Sequence, residues 1–503
     1  MFNRCIFDTL ESRMFLDATL NAGVLTINGS ASADTISLVL NGANIEVTIQ
    51  PENVVSQPFV SANVTSIVIN GLALGDTITV GATITQAAAI NAGDGNDTVT
   101  GGGGADFINP GLGNDTSDGG AGTDTFTYQS RTDDVTVNIN GGNSGATGET
   151  DSALNFENAV GGDGADSIVG TAGNNIVGGG DGNDTIDGGL GNDQVFGDAG
   201  VDTLTYAGRT NAVTVNLVNN SGGETGETDD IAATMENVIG GDGADVITGT
   251  TGDNNINGGL GNDTIDGNTG NDTLVGGGGT ADLLSYATHS VNVNVNLTAG
   301  TGGATGETDT NSGFEALTGG TGNDSLVGTV GADTITGGAG NDTIDGGAGA
   351  DSLFGLDGKD LILGRDGNDT IDGGAGPDAL YGKLGDDSIF GNVGRDRIFG
   401  DEGIDRLKGA GNADTINGGT GDDKIYGDTG DDRLIGDAGN DYILGSVGND
   451  NLQGNVGLDK LFGDAGDDIL DGGASEDRVD GGAGTDTALA DNLDRRFSIE
   501  ILI

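Results

Sequence analysis

The sequence predicts an all-β fold, a parallel β-roll or β-solenoid, and three observations carry that prediction. Between residues 319 and 489 a nine-residue unit repeats nineteen times without insertion or deletion. Its sixth position is Asp in every copy, and its eighth is Leu, Ile or Val in all but the last, where it is Ala488. The chain of 503 residues holds 102 Gly, 4 Pro and no Trp, which describes a repetitive β protein and not a globule with a large core.

The unit reads G-G-x-G-x-D-x-U-x, where U is a large aliphatic residue, and residues 337–345 (GGAGNDTID) are a clean copy. Position one is Gly in all nineteen units and position four in seventeen. The two exceptions at position four, Asn412 and Ser475, are small and polar, and Asn is the non-Gly residue that best tolerates a left-handed backbone. Glycines three apart followed by Asp describe a tight turn with positive φ and unshielded carbonyls; x-U-x is a minimal strand with its middle side chain inward. Each unit is then half a coil, two units make a coil of eighteen residues, and residues eighteen apart become vertical neighbours. Coils stacked at the strand spacing of about 4.8 Å give nineteen units a length on the order of 45 Å. Leu326, Ile344, Ile362 and Leu380 fall in one inward ladder and Ile335, Leu353, Ile371 and Ile389 in the facing one.

The same stacking sets Asp carboxylates one strand spacing apart along each edge, beside a row of open turn carbonyls, where like charges repel strongly. A hard divalent cation answers that repulsion. Ca²⁺ takes six to eight oxygen ligands from carboxylates and main-chain carbonyls in loosely prescribed geometry, whereas Mg²⁺ demands strict octahedra and keeps its waters. Zn²⁺ prefers sulfur and nitrogen, and the chain has 1 Cys and 1 His.

The units resemble the RTX (haemolysin-type) calcium-binding nonapeptide, the repeat of parallel β-roll proteins. The resemblance implies that the first six residues form a calcium-binding turn and the last three a strand, with multiple Ca²⁺ ions held between turns of adjacent coils by Asp carboxylates and backbone carbonyls. It carries over onto the position-six residues of the long array: Asp324, Asp333, Asp342, Asp351, Asp360, Asp369, Asp378, Asp387, Asp396, Asp405, Asp414, Asp423, Asp432, Asp441, Asp450, Asp459, Asp468, Asp477 and Asp486.

Three shorter blocks precede that array. The first, in residues 92–160 with its interlude, carries Asp97, Asp106, Asp115 and Asp124; the second, in residues 161–239, carries Asp166, Asp184, Asp193 and Asp202; the third, in residues 240–318, carries Asp245, Asp263 and Asp272 before an extra residue shifts the frame at Asp282. Asn175 and Asn254 stand at the Asp position, and a neutral amide there predicts a weak or empty site. Each block passes into an interlude with a V-x-V-N strand and a T-G-E-T-D turn. Gly161, Gly240 and Gly319 lie 79 residues apart, so block and interlude duplicated together. The alternating valines read as strands continuing the sheet. Glu149, Glu227 and Glu307 with their Asp partners read as a solvated turn.

Residues 20–91 alternate as GVLTING, TISLVL, IEVTI and TSIVING, and read as an N-terminal β segment of degenerate coils capping the stack. Residues 1–19 read as a leader or a disordered N-terminus; Leu10, Glu11 and Arg13 resemble the L-E-x-R leader of some exported bacterial repeat proteins. Residues 490–503 read as a C-terminal cap with Phe497, Ile499 and Ile501 on one side, or, through the resemblance, as an uncleaved type I secretion signal.

Composition bounds the function. With 79 acidic and 17 basic side chains the net charge is −62, which excludes a nucleic-acid binder and argues against attraction to an anionic membrane surface. No apolar run approaches the length of a transmembrane helix. Cys5 is the single cysteine, so no intramolecular disulfide forms. The lone His289, read as a surface interlude residue, makes neither H-E-x-x-H nor a Ser-His-Asp triad, and no G-x-S-x-G occurs, so the chain reads as no enzyme. Arg406, Lys424, Lys460 and Arg478 fall on one ladder, with Phe354, Phe390, Tyr426 and Phe462 at position nine of the same side. Such a stripe suits an acidic polysaccharide or cell-surface matrix, and otherwise covers sheet and offsets Asp charge. Thr occupies position three only at Thr321, Thr420 and Thr429, too rarely for an ice-binding face. The expectation is a secreted or surface-attached, extracellular scaffold that folds on binding calcium. The alternatives are an adhesin or matrix polysaccharide-binding module and, behind it, the repeat region of a secreted hydrolase or toxin.

Overall fold

The computed structural model describes residues 18–51, 54–55, 58–489 and 494–502; the leader motif at Leu10, Glu11 and Arg13 lies outside them. Backbone contacts divide the chain into two units, Met1–Tyr206 with Thr214–Asn237, and Ala207–Val213 with Val238–Ile503. Among the described residues the only helical element is one 3₁₀ turn, Ser61–Asn63. All else that is regular is strand, because a turn every nine residues leaves no room for helix and the aliphatics recur at the period that strands bury.

The first unit opens on two antiparallel hairpins, Ala18–Asn21 with Val24–Asn28 and Thr35–Asn41 with Asn44–Gln50. Parallel stacking then takes over. Val24–Asn28 pairs with Ser66–Ala73, which pairs with Ala87–Asp94, then Phe107–Asn109 and Thr125–Thr127; on the other sheet Thr35–Asn41 leads to Thr77–Val80, Thr98–Thr100, Thr116–Asp118 and Asp151–Leu154. The N-terminal segment is thus built of coils whose D-T-I elements pair in register with the repeats, Thr77 to Thr98 and Ile78 to Val99. The first interlude continues the sheet through Val135–Asn138, parallel to Ser167–Val169, and adds Asn143–Ala146 antiparallel to both Val135–Asn138 and Asp151–Leu154.

In the second unit the long array forms two parallel sheets with an eighteen-residue register. Leu326 pairs with Ile344, Ile344 with Ile362 and Ile362 with Leu380, while Ile335, Leu353, Ile371 and Ile389 pair in the same way across from them. All eight are fully buried. The strands are longer than the three residues the repeat suggests. Arg397–Glu402 is representative, running from position seven through position three of the next unit, since those positions also pair with the coils on either side. The tail adds a last coil, with Arg495–Phe497 parallel to Arg478–Ala483 and Ile501–Leu502 parallel to Thr487–Leu489; Phe497 and Ile501 face outward.

Candidate metal centre

Every repeat places its Asp at the same point, between the tight turn and the strand, and the carboxylate is buried. One oxygen has a fixed partner. The backbone N–H of Asp342 donates to Oδ1 of Asp360 at 2.8 Å, that of Asp360 to Asp378 at 2.8 Å, and the pattern continues to Asp468 and Asp486. The facing edge carries its own column from Asp333 and Asp351 through Asp477. Each carboxylate therefore receives an amide from the coil before it, and the Asp side chain is part of the stack's hydrogen bonding as well as a charge.

The second oxygen divides the turns into two kinds. In the first turn of each column, Oδ2 accepts the N–H of the residue at position two: Gly102 to Asp106, Gly162 to Asp166, Gly241 to Asp245, Gly320 to Asp324 at 2.8 Å and Thr329 to Asp333 at 2.6 Å. In twenty-four of the thirty aspartates predicted from the repeat, Oδ2 is buried with no hydrogen-bond partner. Position two explains the difference. It lies in the left-handed region throughout the later turns, at φ 76° for Leu356, 84° for Arg365, 87° for Lys383 and 70° for Asp437, but outside it at Gly320 and Thr329. The left-handed conformation goes with the loss of that amide from the carboxylate. Position four is left-handed at both exceptions, φ 78° at Asn412 and 123° at Ser475, as the sequence predicts.

The open turns suit a hard cation. A Cβ added to Gly355 would meet Oδ2 of Asp360 and lie 2.5 Å from the carbonyl oxygen of Gly373, so a carboxylate oxygen and a carbonyl of the next coil converge on a place that only glycine leaves empty. Among the described residues no cluster of three or more His, Cys, Asp or Glu side chains gathers; the donors are paired carboxylates and main-chain carbonyls. That set fits Ca²⁺. Burial pushes the Asp414 carboxyl up to about 8 and that of Asp423 up to about 7, with neighbouring carboxylates adding to the rise and the amide of the preceding Asp opposing it. Asp342, Asp351 and Asp468 rise to about 6 for the same first cause, burial. Ionised carboxylates one strand spacing apart repel by about 3–4 kcal/mol per pair at an effective dielectric of roughly 20, a cost that a divalent ion held by them would remove.

Three readings of the sequence are corrected. The T-G-E-T-D turns are not solvated: Asp151, Asp229 and Asp309 are 1%, 4% and 2% exposed and form the last rung of an Asp column, Oδ1 accepting from Asp115, Asp193 and Asp272. Their Oδ2 accepts the hydroxyl of Tyr128, Tyr206 and Tyr286. His289 is no surface residue; it is 7% exposed, its Nε2–H donating to the Asn268 carbonyl at 2.7 Å. The frame shift at Asp282 leaves that residue in its column, 1% exposed and taking the amide of Asp263 at Oδ1.

Sequence reasoning also missed Asp34 and Asp76, buried rungs of the N-terminal coils, and Glu157, Glu236, Glu315 and Glu500, each accepting the amide of a column's last Asp. The D-T-I spelling was a signal for the first pair. The three interlude glutamates follow their Asp by 33, 34 and 33 residues, each directly after Phe156, Met235 or Phe314, which was their signal; Glu500 follows by 14. At Asn175 the amide group brings its own proton to the turn: Nδ2 donates to the Glu157 carbonyl, and Oδ1 accepts from Thr171. Asn254 takes the amide of Thr250 in the same way.

The RTX calcium-binding nonapeptide repeat family (4 copies) matches the chain at residues 89–117, 160–195, 169–204, 239–274, 318–353, 345–380, 354–389, 372–407, 408–443, 417–452, 444–479 and 453–488. No curated protein matches the chain. The matched segments cover more than half of the residues and coincide with the coils whose Asp columns are described above, and the repeats of this family bind multiple calcium ions. The chain belongs to the RTX calcium-binding nonapeptide repeat family, and it is a parallel β-roll.

Proposed function

We propose that the protein is a calcium-folded scaffold that works outside the cell, and that the position-six aspartates of its open turns are the ion ligands. The observation that carries this reading is the set of twenty-four buried, partnerless Oδ2 atoms. A desolvated carboxylate oxygen without a partner opposes folding. Calcium, when bound, supplies positive charge and accepts oxygen ligands in loose geometry. The chain supplies the rest: glycine at position one leaves room, left-handed position two turns its amide away, and the amide of the preceding Asp fixes each carboxylate. In a low-calcium cytoplasm a chain of charge −62 stays expanded; outside, where sites of modest affinity fill at about millimolar calcium, ligand binding supplies stability that the thin core cannot. The test is far-UV circular dichroism during titration with CaCl₂, with MgCl₂ as control. A cooperative coil-to-β transition specific to calcium is expected, and full β structure in EDTA at neutral pH would remove calcium as the trigger.

A second reading concerns what the folded scaffold touches. Arg406, Lys424, Tyr442, Lys460, Arg478 and Arg495 are in-register neighbours on one sheet. Lys424 and Lys460 are exposed and have no ion pair among the described residues. The Arg478 guanidinium lies over Phe462 at 4.8 Å and Phe497 at 5.3 Å, and Arg406 over Tyr426 at 5.3 Å. Cations held on aromatic faces at strand spacing suit a linear chain of uronate sugars, with a carboxylate on each ring and an apolar ring face. Neutralising Arg406, Lys424, Lys460 and Arg478 together is expected to abolish retention on an immobilised polyuronate in calcium buffer; unchanged retention would sink this reading and leave the scaffold reading intact.

A further inference from the structure

The first block ends in a gap that the chain fills by itself. Down this column Asp97 donates its amide to Asp115, and Asp115 to Asp151, so the turn at residues 146–151 is the next rung below the turn at residues 110–115 although it lies 36 residues on. In the rungs above, Asp97 and Asp115 leave Oδ2 partnerless; in Asp151 it takes the Tyr128 hydroxyl. Between the two turns sits Arg131, 8% exposed. Its guanidinium donates to the Gly111 carbonyl at 2.7 Å, to Glu149 Oε2 at 2.9 Å and to both oxygens of Asp133 at 3.0 and 2.8 Å. Gly111 holds position two of the upper turn, and Glu149, from the lower turn, accepts the Gly113 amide through its other oxygen at 3.2 Å. A main-chain carbonyl above and an acidic side chain below are the kinds of donor that an open turn leaves to a cation, here the position-two carbonyl of Gly111 with Glu149, where an open turn offers a position-one carbonyl with an Asp Oδ2.

The third block shows what the gap is without a guanidinium. Tyr286 again donates to Oδ2 of Asp309, at 2.6 Å, but His289 stands where Arg131 stands, three residues after the Tyr. Its Nε2–H reaches the carbonyl of Asn268, the position-two residue of its own upper turn, and nothing more. His289 Nδ1 and Glu307 Oε2 are both buried without a partner. The shorter, planar ring satisfies the carbonyl and leaves the acid unmet.

We propose that Arg131, with Tyr128, takes the place of a calcium ion between Gly111 and Glu149 at the foot of the first block, so that this gap is closed by a permanent internal cation. The proposal rests on the calcium-scaffold reading. It predicts that removing the guanidinium creates a site: Glu149, Asp133 and the Gly111 carbonyl would then face a space short of one positive group.

The test is native mass spectrometry of the full chain at saturating calcium. Arg131→Ala is expected to hold one more ion than the wild type, and Arg131→Lys, which keeps the charge, the same number. Terbium in place of calcium is expected to show additional tyrosine-sensitised emission in Arg131→Ala, lost again when Tyr128→Phe is added, because the Arg131 guanidinium carbon lies 5.6 Å from the Tyr128 ring. An unchanged ion count in a folded Arg131→Ala overturns the proposal. So does failure of that variant to fold in saturating calcium, since the ion would then be unable to replace the guanidinium. A wild type that binds no calcium would defeat the scaffold reading itself, whereas a loaded wild type with an unchanged variant defeats only this one.

Discussion

Position two of the repeat holds Leu356, Arg365 and Lys383 in a left-handed conformation that costs an ordinary L-residue about 1–2 kcal/mol. Leu356→Gly relieves that strain at some cost in chain entropy, and is expected to raise stability in saturating calcium by roughly 0.5–1 kcal/mol, read by urea unfolding. Two residues on, the opposite holds: at Gly358, φ 152°, a Cβ would overlap the carbonyl oxygen of Gly340. Gly358→Ala is expected to cost more than about 3 kcal/mol in the same assay. Titration belongs to this scale too. Burial raises the open-turn carboxyls above their ordinary value of 3.8, to about 6 at Asp342, 7 at Asp423 and 8 at Asp414. A group whose folded pKa is raised favours the fold fully below its unfolded pKa, and that advantage is lost as pH rises through the folded pKa. In EDTA the β signal is therefore expected to be strongest near pH 4 and to fall away between about 6 and 8. Calcium, which binds the ionised form, is expected to bind more tightly over that same rise. A metal-free β signal that grows from pH 5 to pH 8 would contradict the assignment of burial as the cause.

At the scale of the turn and its column, an open rung and a closed one respond differently to the same change. Asp333 sits in a G-T-x-G turn, like Asn175, with Thr329 donating its amide and hydroxyl to the carboxylate as Thr171 donates its amide and hydroxyl to the Asn175 amide oxygen. Asp333→Asn is accordingly expected to leave the calcium count unchanged, while Asp360→Asn, in an open rung, is expected to lower it; ion counting at saturation reads both. The aliphatic ladders, the eighteen-residue register and the left-handed Asn412 and Ser475 were legible in the repeat because it encodes them at every turn. The two kinds of turn were not. They differ by the backbone at position two, which glycine permits either way, and only Thr171, Thr250 and Thr329, β-branched residues that resist positive φ, spell the closed form in the sequence. The burial of Asp151 and Asp309 is not legible in the sequence because their distance from the rung above, 36 and 37 residues, hides a vertical neighbour behind an antiparallel detour.

For the whole molecule, the charge of −62 is of two kinds with different ranges. Exposed acids interact over distances that salt shortens, the screening length being about 8 Å at physiological ionic strength. Rungs of a column lie closer than that and are buried, so monovalent ions do not reach between them. NaCl at high concentration in EDTA at neutral pH is therefore expected to compact the chain, seen as a smaller radius by X-ray scattering, without restoring the β signal that calcium restores. Recovery of that signal by NaCl alone would mean that general repulsion, and not the buried rungs, keeps the chain unfolded.

The columns also have a direction. Each aspartate's amide points to a carboxylate later in the sequence, from Asp324 to Asp486 and finally Glu500. The long column therefore begins with an acceptor, Asp324 Oδ1, supplied with its donor by Val293, and would end with a bare donor but for Glu500. A break in the stack thus makes two unlike faces, one offering unfilled carboxylates and the other unfilled N–H groups. Fragments cut between coils are in this sense head and tail, chemically primed to rejoin in one orientation only.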